Sequence, residues 1–170
     1  VEKPQEFVSD LAIIGIYYFK DGAYLKREMQ YLIDNNIKEK GEYQLTNAME
    51  NMRKKGAKFS PGKVDEWLDC GNKDATIYTN QRILELKKHE ELVSKKAVFK
   101  NAVVIPPCFV DDDVVIINSV IGPHVSIGKK TVIENSVVKN SIVQSNTILK
   151  NKLIQNSMIG NNAKLEGRMD

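Results

Sequence analysis

From Val110 to Leu165 an aliphatic residue returns every five or six positions: Val110, Ile116, Ile121, Ile127, Ile133, Val138, Val143, Leu149, Ile154, Ile159 and Leu165. An α-helix repeats its apolar face at about 3.6 residues, and a strand alternates only until turn chemistry stops it, so neither accounts for so long a run. A second apolar or small residue stands four places after each of the first ten, from Val114 and Val120 through to Met158 and Ala163. An asparagine–serine pair followed by two apolar residues recurs at Asn118, Asn135, Asn140 and Asn156. Asn and Gly tolerate the left-handed backbone that tight corners need. The pattern therefore predicts short strands joined by corners, about three residue groups to a coil, with coils stacked into a β-helix.

The physics of stacking explains the composition of the columns. One coil leaves its inward aliphatic side chains wet, and only the next coil closes the core. β-Branched side chains fill a narrow prism well, and the backbone pairs from coil to coil as parallel strands. Lys129, Lys130, Glu134, Lys139, Lys150 and Lys152 fall on outward positions. The repeat resembles the hexapeptide-repeat family, and that resemblance implies a left-handed parallel β-helix, against the usual right-handed crossover rule.

At 170 residues and 42% hydrophobic content the chain can bury a substantial core. A net charge of +3, with acids and bases interspersed, suits anionic small molecules and lacks the basic stripe of a nucleic-acid binder. No nucleic acid or membrane partner is expected. Cys70 and Cys108 lie far apart without metal-ligand spacing and read as reduced thiols, with a single disulfide as the alternative. With no signal peptide and no long apolar span, a cytoplasmic location is expected. The chain opens at Val1 without methionine and closes at Asp170 without a capping element, which reads as the carboxy-terminal piece of a longer protein.

Before the repeats, Leu11 to Phe19 is nearly all apolar or aromatic, as for a strand buried on both faces. Lys20-Asp21-Gly22 is a turn. Leu25, Met29, Leu32 and Ile33 then recur at helical spacing up to Asn35-Asn36. A second helix carries Leu45, Ala48, Met49 and Met52 and stops at Gly56. Lys58 to Trp67 reads as a strand pair or irregular hairpin around Pro61-Gly62. A third helix follows Gly71 and runs to about Lys88. The expected organisation is a domain over residues 1–86, a charged linker over 87–97 and the β-helix over 98–170, with Val98 to Pro107 as an irregular first coil.

Four motifs occur in order ahead of the repeats: Glu2-Lys3-Pro4, Gly15-Ile16-Tyr17-Tyr18-Phe19, Gly41-Glu42-Tyr43-Gln44-Leu45-Thr46-Asn47, and Glu66-Trp67-Leu68-Asp69-Cys70-Gly71. Together they resemble the later half of the catalytic domain of bacterial sugar-1-phosphate nucleotidyltransferases of the glucose-1-phosphate thymidylyltransferase type. Several members carry a hexapeptide β-helix behind that domain. The resemblance implies a partial Rossmann-like α/β segment over residues 1–86. It also implies that Glu2 and Lys3 grip the sugar phosphate, a carboxylate accepting hydroxyl protons and an ammonium neutralising phosphate. Gly15 and Tyr17 would line the sugar pocket, and Lys40 and Glu42 would lie near the sugar. Asn47 departs from the aspartate usual there, so no role is transferred to it. Asp69 would help bind a catalytic Mg2+ and, with Lys3, face a common cleft. A helix-capping Asp is the competing explanation, but Asn72 can take that duty. Cys70 stands where relatives often have threonine.

The implied reaction is attack of a sugar-1-phosphate oxygen on the α-phosphorus of a nucleoside triphosphate, with release of pyrophosphate. It needs positioning and charge neutralisation more than a nucleophilic side chain. The family's triphosphate-cradling loop and partner aspartate belong to its amino-terminal half, so this chain is expected not to catalyse alone. Two other classes remain open. A hexapeptide acyltransferase would use His124, alone among the repeats, as general base. A non-catalytic assembly or regulatory module would use the β-helix to self-associate, and a homo-oligomer is expected in either case.

Overall fold

The computed structural model describes residues 6–7 and 9–168. Packing divides the chain into two compact units that meet between Trp67 and Leu68. The expected domain limit at residue 86 and this packing limit differ because the third helix lies against the coils.

The first unit holds α1 (Gly22–Asp34) and α2 (Leu45–Lys54), which pack on one another. Asp21 caps α1 by accepting the Tyr24 N–H at 2.9 Å, as its place in the Lys-Asp-Gly turn implies. Leu32, Ala48 and Met52 are buried, while Met29 and Ile33 stay exposed. Glu28 takes a buried place on α1 and accepts the Lys55 ammonium through both oxygens at 2.7 and 2.8 Å. The Leu11–Phe19 run is not a strand: its backbone makes no ladder, and Leu11, Ile13, Ile16 and Tyr18 are exposed. Gly15 interrupts the extended path at φ +81°, and no other strand among the described residues of this unit offers a partner. Residues 58–67 likewise form no hairpin, for the same lack of pairing.

The second unit begins with α3 (Lys73–Leu86) and continues into the coils. Its strands are β1 (Val98–Lys100), β2 (Val103–Val104), β3 (Cys108–Val110), β4 (Val115–Ile117), β5 (Val120–Ile121), β6 (Val125–Ile127), β7 (Val132–Glu134), β8 (Val137–Lys139), β9 (Ser141–Val143), β10 (Ile148–Lys150), β11 (Leu153–Gln155), β12 (Met158–Ile159) and β13 (Lys164–Glu166). They form three parallel sheets, ordered β1-β4-β7-β10-β13, β2-β5-β8-β11 and β3-β6-β9-β12. This is the expected left-handed β-helix of hexapeptide repeats. Pairing starts inside the stretch read as linker, where the Val93 bridge to Val110 brings Leu92 and Ser94 into backbone contact with the coil.

The aliphatic column is the core: Val110, Ile116, Ile121, Ile127, Ile133, Val138, Val143, Leu149 and Ile159 are all buried. Ile154 is half-buried, and Leu165, on β13 with a neighbour on one side, is exposed. The second column follows a different rule from the one expected. Where the step to the next aliphatic residue is six, the residue four places on turns inward, as Val114, Val125, Thr131 and Thr147 do. Where the step is five, it turns outward. Val137 is 40% exposed and Leu153 84%, while Ser119, Ser136 and Ser141 take the inner place. For each column residue from Val110 to Leu149 the residue two before it is buried as well, because side chains along an extended segment alternate between its two faces.

Those buried hydroxyls are satisfied coil to coil. Ser136 Oγ donates to the Glu134 carbonyl at 2.7 Å and accepts the Lys152 N–H at 3.1 Å. Ser119 and Ser141 repeat the arrangement. Thr131 Oγ1 instead donates to the Gln144 carbonyl at 3.0 Å and accepts the Thr147 N–H at 3.3 Å, and Thr147 Oγ1 donates to the Gly160 carbonyl at 2.9 Å. The corners hold Asn101, Asn118, Asn135 and Asn151 at φ 47–54°, each side-chain amide donating to the next coil's oxygen at 3.0–3.2 Å. Coils tighten along the stack, Asn118 and Asn135 lying 17 residues apart and Asn135 and Asn151 lying 16 apart.

Candidate functional site

In the first unit the expected sugar-side residues fall on two local structures. The 11–19 segment walls a depression of about 360 Å³ with Ile13, Tyr17, Phe19, Met49, Phe59 and Pro61 among its lining. Tyr17 also borders a wider hollow of about 630 Å³ with Asp21, Tyr24 and Lys58. Its ring lies 6.2 Å from Phe19, which meets Phe59 edge-on at 6.3 Å. These are the separations at which aromatic rings attract. Gly15 is a backbone device here: a Cβ would meet nothing within 4 Å, and it is the φ of +81° that asks for glycine.

Lys40 and Glu42 belong to a tight turn. Glu39 and Glu42 exchange backbone hydrogen bonds at 2.9 and 3.1 Å, and Lys40 and Gly41 between them sit at φ 51° and 85°. Two successive positive φ values define a type I′ turn, which suits the Lys-Gly pair only through its glycine. Both charged side chains are exposed, and Glu42 accepts the Gln44 side-chain amide at 3.2 Å. Glu39 lines a third depression of about 460 Å³ with Ile13, Thr46, Asn47, Glu50 and Arg53. Two features there escaped the motif reading. Arg53 grips Glu50 through two hydrogen bonds of 2.7 and 2.8 Å, which lowers the Glu50 carboxyl and raises the Arg53 guanidinium from their ordinary values. The Thr46 hydroxyl oxygen is buried without a partner among the described residues. Glu2 and Lys3 lie outside the described residues.

Asp69 lies in the second unit, just ahead of α3. Asn72 caps that helix, its side chain accepting the Ala75 N–H at 2.9 Å. The Asp69 carboxylate instead folds a small turn, Oδ1 accepting the Gly71 N–H at 3.0 Å, and the residue is exposed. The turn also constrains Gly71, where a Cβ would stand 3.2 Å from Asp69 Oδ2. Thr79 Oγ1 donates to the Asp69 carbonyl at 2.7 Å, a contact ten residues on that no motif discloses. Trp67, next to the motif's start, is 59% exposed. Among the described residues no three His, Cys, Asp or Glu side chains come together as a metal cluster. His124 sits at the corner between β5 and β6 with φ 64°, its Nε2 2.7 Å from Glu85 Oε1 of α3. No helix among the described residues is long and apolar enough to cross a membrane.

Residues 1–85, half the chain, match the family described as nucleotidyl transferase. Two curated relatives, both glucose-1-phosphate thymidylyltransferases, come from Streptomyces antibioticus and Streptomyces griseus. Each is 25% identical over 150 residues, covering 79% of this chain and 41% of the relative. The chain thus spans about two-fifths of the length of these relatives. No solved structure matches it significantly.

Proposed function

Because the chain belongs to the nucleotidyl transferase family, we propose that it is the sugar-phosphate side of a sugar-1-phosphate nucleotidyltransferase, joined to a β-helix. The reaction is transfer of a nucleotidyl group from a nucleoside triphosphate to a sugar 1-phosphate, with release of pyrophosphate. Glucose 1-phosphate and a thymidylyl group are what the relatives' names specify, so they are the first substrates to try.

One observation carries the reading: the division of labour ahead of α3. Asn72 takes the cap, so the exposed Asp69 carboxylate is held in place by one oxygen without being consumed by the helix. Mg2+ usually takes one or two carboxylates and completes its shell with phosphate oxygens and water. A single exposed aspartate in a fixed turn fits half of such a site. When bound, the ion supplies charge neutralisation at the phosphoryl oxygens. The remaining roles fall to the chain's own groups. Lys3 neutralises the sugar phosphate and Glu2 accepts sugar hydroxyls. The Tyr17 ring, half open between two hollows, offers the hexose a flat apolar face, and Lys40 and Glu42 supply charge and acceptors from the turn. Self-association through the β-helix completes the reading. The outward aliphatic ladder Val103, Val120, Val137 and Leu153, in register on one sheet, supports it.

Protein-observed NMR titration with glucose 1-phosphate tests the proposal. Expected are saturable shifts at Tyr17 and residues 40–42, lost in Lys3→Ala. A titration without any such shift would refute it. Pyrophosphate release from the 170-residue chain given thymidine triphosphate, glucose 1-phosphate and Mg2+ should be absent. Turnover would contradict the assignment of triphosphate binding to the part of the relatives this chain does not span.

A further inference from the structure

Asp69 shares a compact unit with the coils, and the contacts between them form an unbroken series. The apolar stripe Ile77 and Leu84 is buried, and α3 packs on β6 and β9. Asn80, on the same side of the helix as that stripe by its three- and four-residue spacing, grips the coil. Its Oδ1 accepts the Ser126 hydroxyl at 2.6 Å, and its Nδ2 donates to the His124 carbonyl at 3.4 Å. One turn further on, Glu85 Oε1 meets His124 Nε2 at 2.7 Å. The side chain preceding Asn80 is Thr79, turned about 100° away around the helix. It donates to the Asp69 carbonyl at 2.7 Å. Thr76 Oγ1 donates to the Asn72 carbonyl at 2.8 Å, with the Cys70 carbonyl 3.3 Å away.

Two neighbouring residues of one helix therefore bind the solenoid and the Asp69 loop respectively. A neutral hydroxyl–carbonyl bond is worth about 5-fold in an equilibrium, enough to set the population of one loop geometry over another. We propose that the β-helix is the mount of the Asp69 loop. Asn80, Ser126, Glu85 and His124 fix α3 on the coils, and Thr79 is the positioning residue that carries this fixation to Asp69. The solenoid then does more than assemble subunits, because a disturbance at the 122–126 corner reaches the phosphoryl-transfer site through α3. The functional half of this statement rests on the reading of Asp69 as a metal-binding carboxylate; the mechanical half does not.

The test uses the isotope-labelled 170-residue chain with variants Thr79→Val, Thr79→Ser and Glu85→Gln, and has two arms. In the first, backbone order parameters of residues 69–71 are measured. They should lie near about 0.85 in the native chain and fall toward about 0.6 in Thr79→Val and Glu85→Gln. Val138 and Val143 in the core should stay unchanged, and Thr79→Ser should restore the native values. Unchanged order at 69–71 in both damaging variants overturns the mount. Glu85→Gln keeps this arm decisive even if Thr79→Val fails to fold. In the second, Mn2+ is added as a paramagnetic probe, with line broadening expected at 69–71. Asp69→Asn should abolish it, Thr79→Val should weaken it about 5-fold, and Thr79→Ser should spare it. Broadening that ignores Asp69→Asn overturns the metal reading and leaves the mount to the first arm. Broadening at Asp69 that ignores Thr79→Val overturns the positioning role and leaves the metal reading standing.

Discussion

Val137 and Val138 are adjacent on β8, and replacing each in turn with alanine separates the inner and outer columns with identical chemistry. Val138 is fully buried in the core, paired in register with Ile121 on one coil and Ile154 on the next. Val137 is 40% exposed and pairs with Val120 and Leu153 on the outer surface. Each substitution removes two methyl groups, about 1.6 kcal/mol of transfer free energy when fully buried. At Val138 the enclosing prism cannot collapse, so a cavity term adds, and the expected loss is about 2–3 kcal/mol. At Val137 much of the side chain is already wet and no closed cavity forms, which leaves about 0.5–1 kcal/mol. The intrinsic strand preference of valine over alanine applies to both and cancels in the comparison. The assay is urea unfolding followed by far-UV circular dichroism, with midpoints compared at equal slope. Both sites lie on one strand of one coil, so any stepwise melting of the solenoid affects them alike. A cost at Val137 equal to or above that at Val138 would refute the assignment of Val137, four places after Ile133, to the outer surface.

Gly122→Ala should cost at least about 3 kcal/mol in the same unfolding assay, or leave no soluble chain. A Cβ there would stand 2.0 Å from the Ile105 carbonyl oxygen and 2.8 Å from Cys108 Sγ, at a φ of +107°. A thiol-reactive dye should label Cys70, which is exposed, and spare Cys108 until the chain unfolds; burial pushes the Cys108 thiol up. Equal native labelling of both would contradict the packing of β3. The hydrogen bond with His124, then the neighbouring Lys88 and His124 charges, hold the Glu85 carboxyl below its ordinary value against the opposing effect of burial. A depressed folded-state value means a contribution present above the ordinary value of 4.5 and lost as the pH falls through the folded one. Acidification below about pH 4.5 should therefore loosen α3, seen as movement of the Ser126 amide resonance. Glu85→Gln should remove that acid-dependent movement.

The β-helix was legible because its inward column depends only on spacing, and spacing is local information. The second column was misread at the short steps for a reason that is equally physical. Counting forward four residues from an aliphatic position crosses the corner, where a five-residue step omits one residue. Counting back two stays on the same extended side of the coil, at or just before the strand, where alternation is fixed. Val137, Ile142 and Leu153 look like core by composition, whereas Ser119, Ser136 and Ser141 are core by geometry. Serine is tolerable there because the next coil supplies a backbone N–H at the right height. The Leu11–Phe19 run failed as a strand because apolar content states a demand for burial without supplying the neighbour that meets it. A ladder is a property of two segments, and one segment's composition cannot create it. In the site, the Asn72 cap was legible since capping spans three residues. Thr79 was not, since its partner Asp69 lies ten positions back, across a turn and half a helix. The motif that contains Asp69 names a carboxylate, while the side chain that binds its carbonyl lies in the next helix, which packs on the coils. The same logic explains why His124 reads from sequence as an isolated corner residue: its partner Glu85 is 39 positions away, on a helix that only the fold brings to the coil.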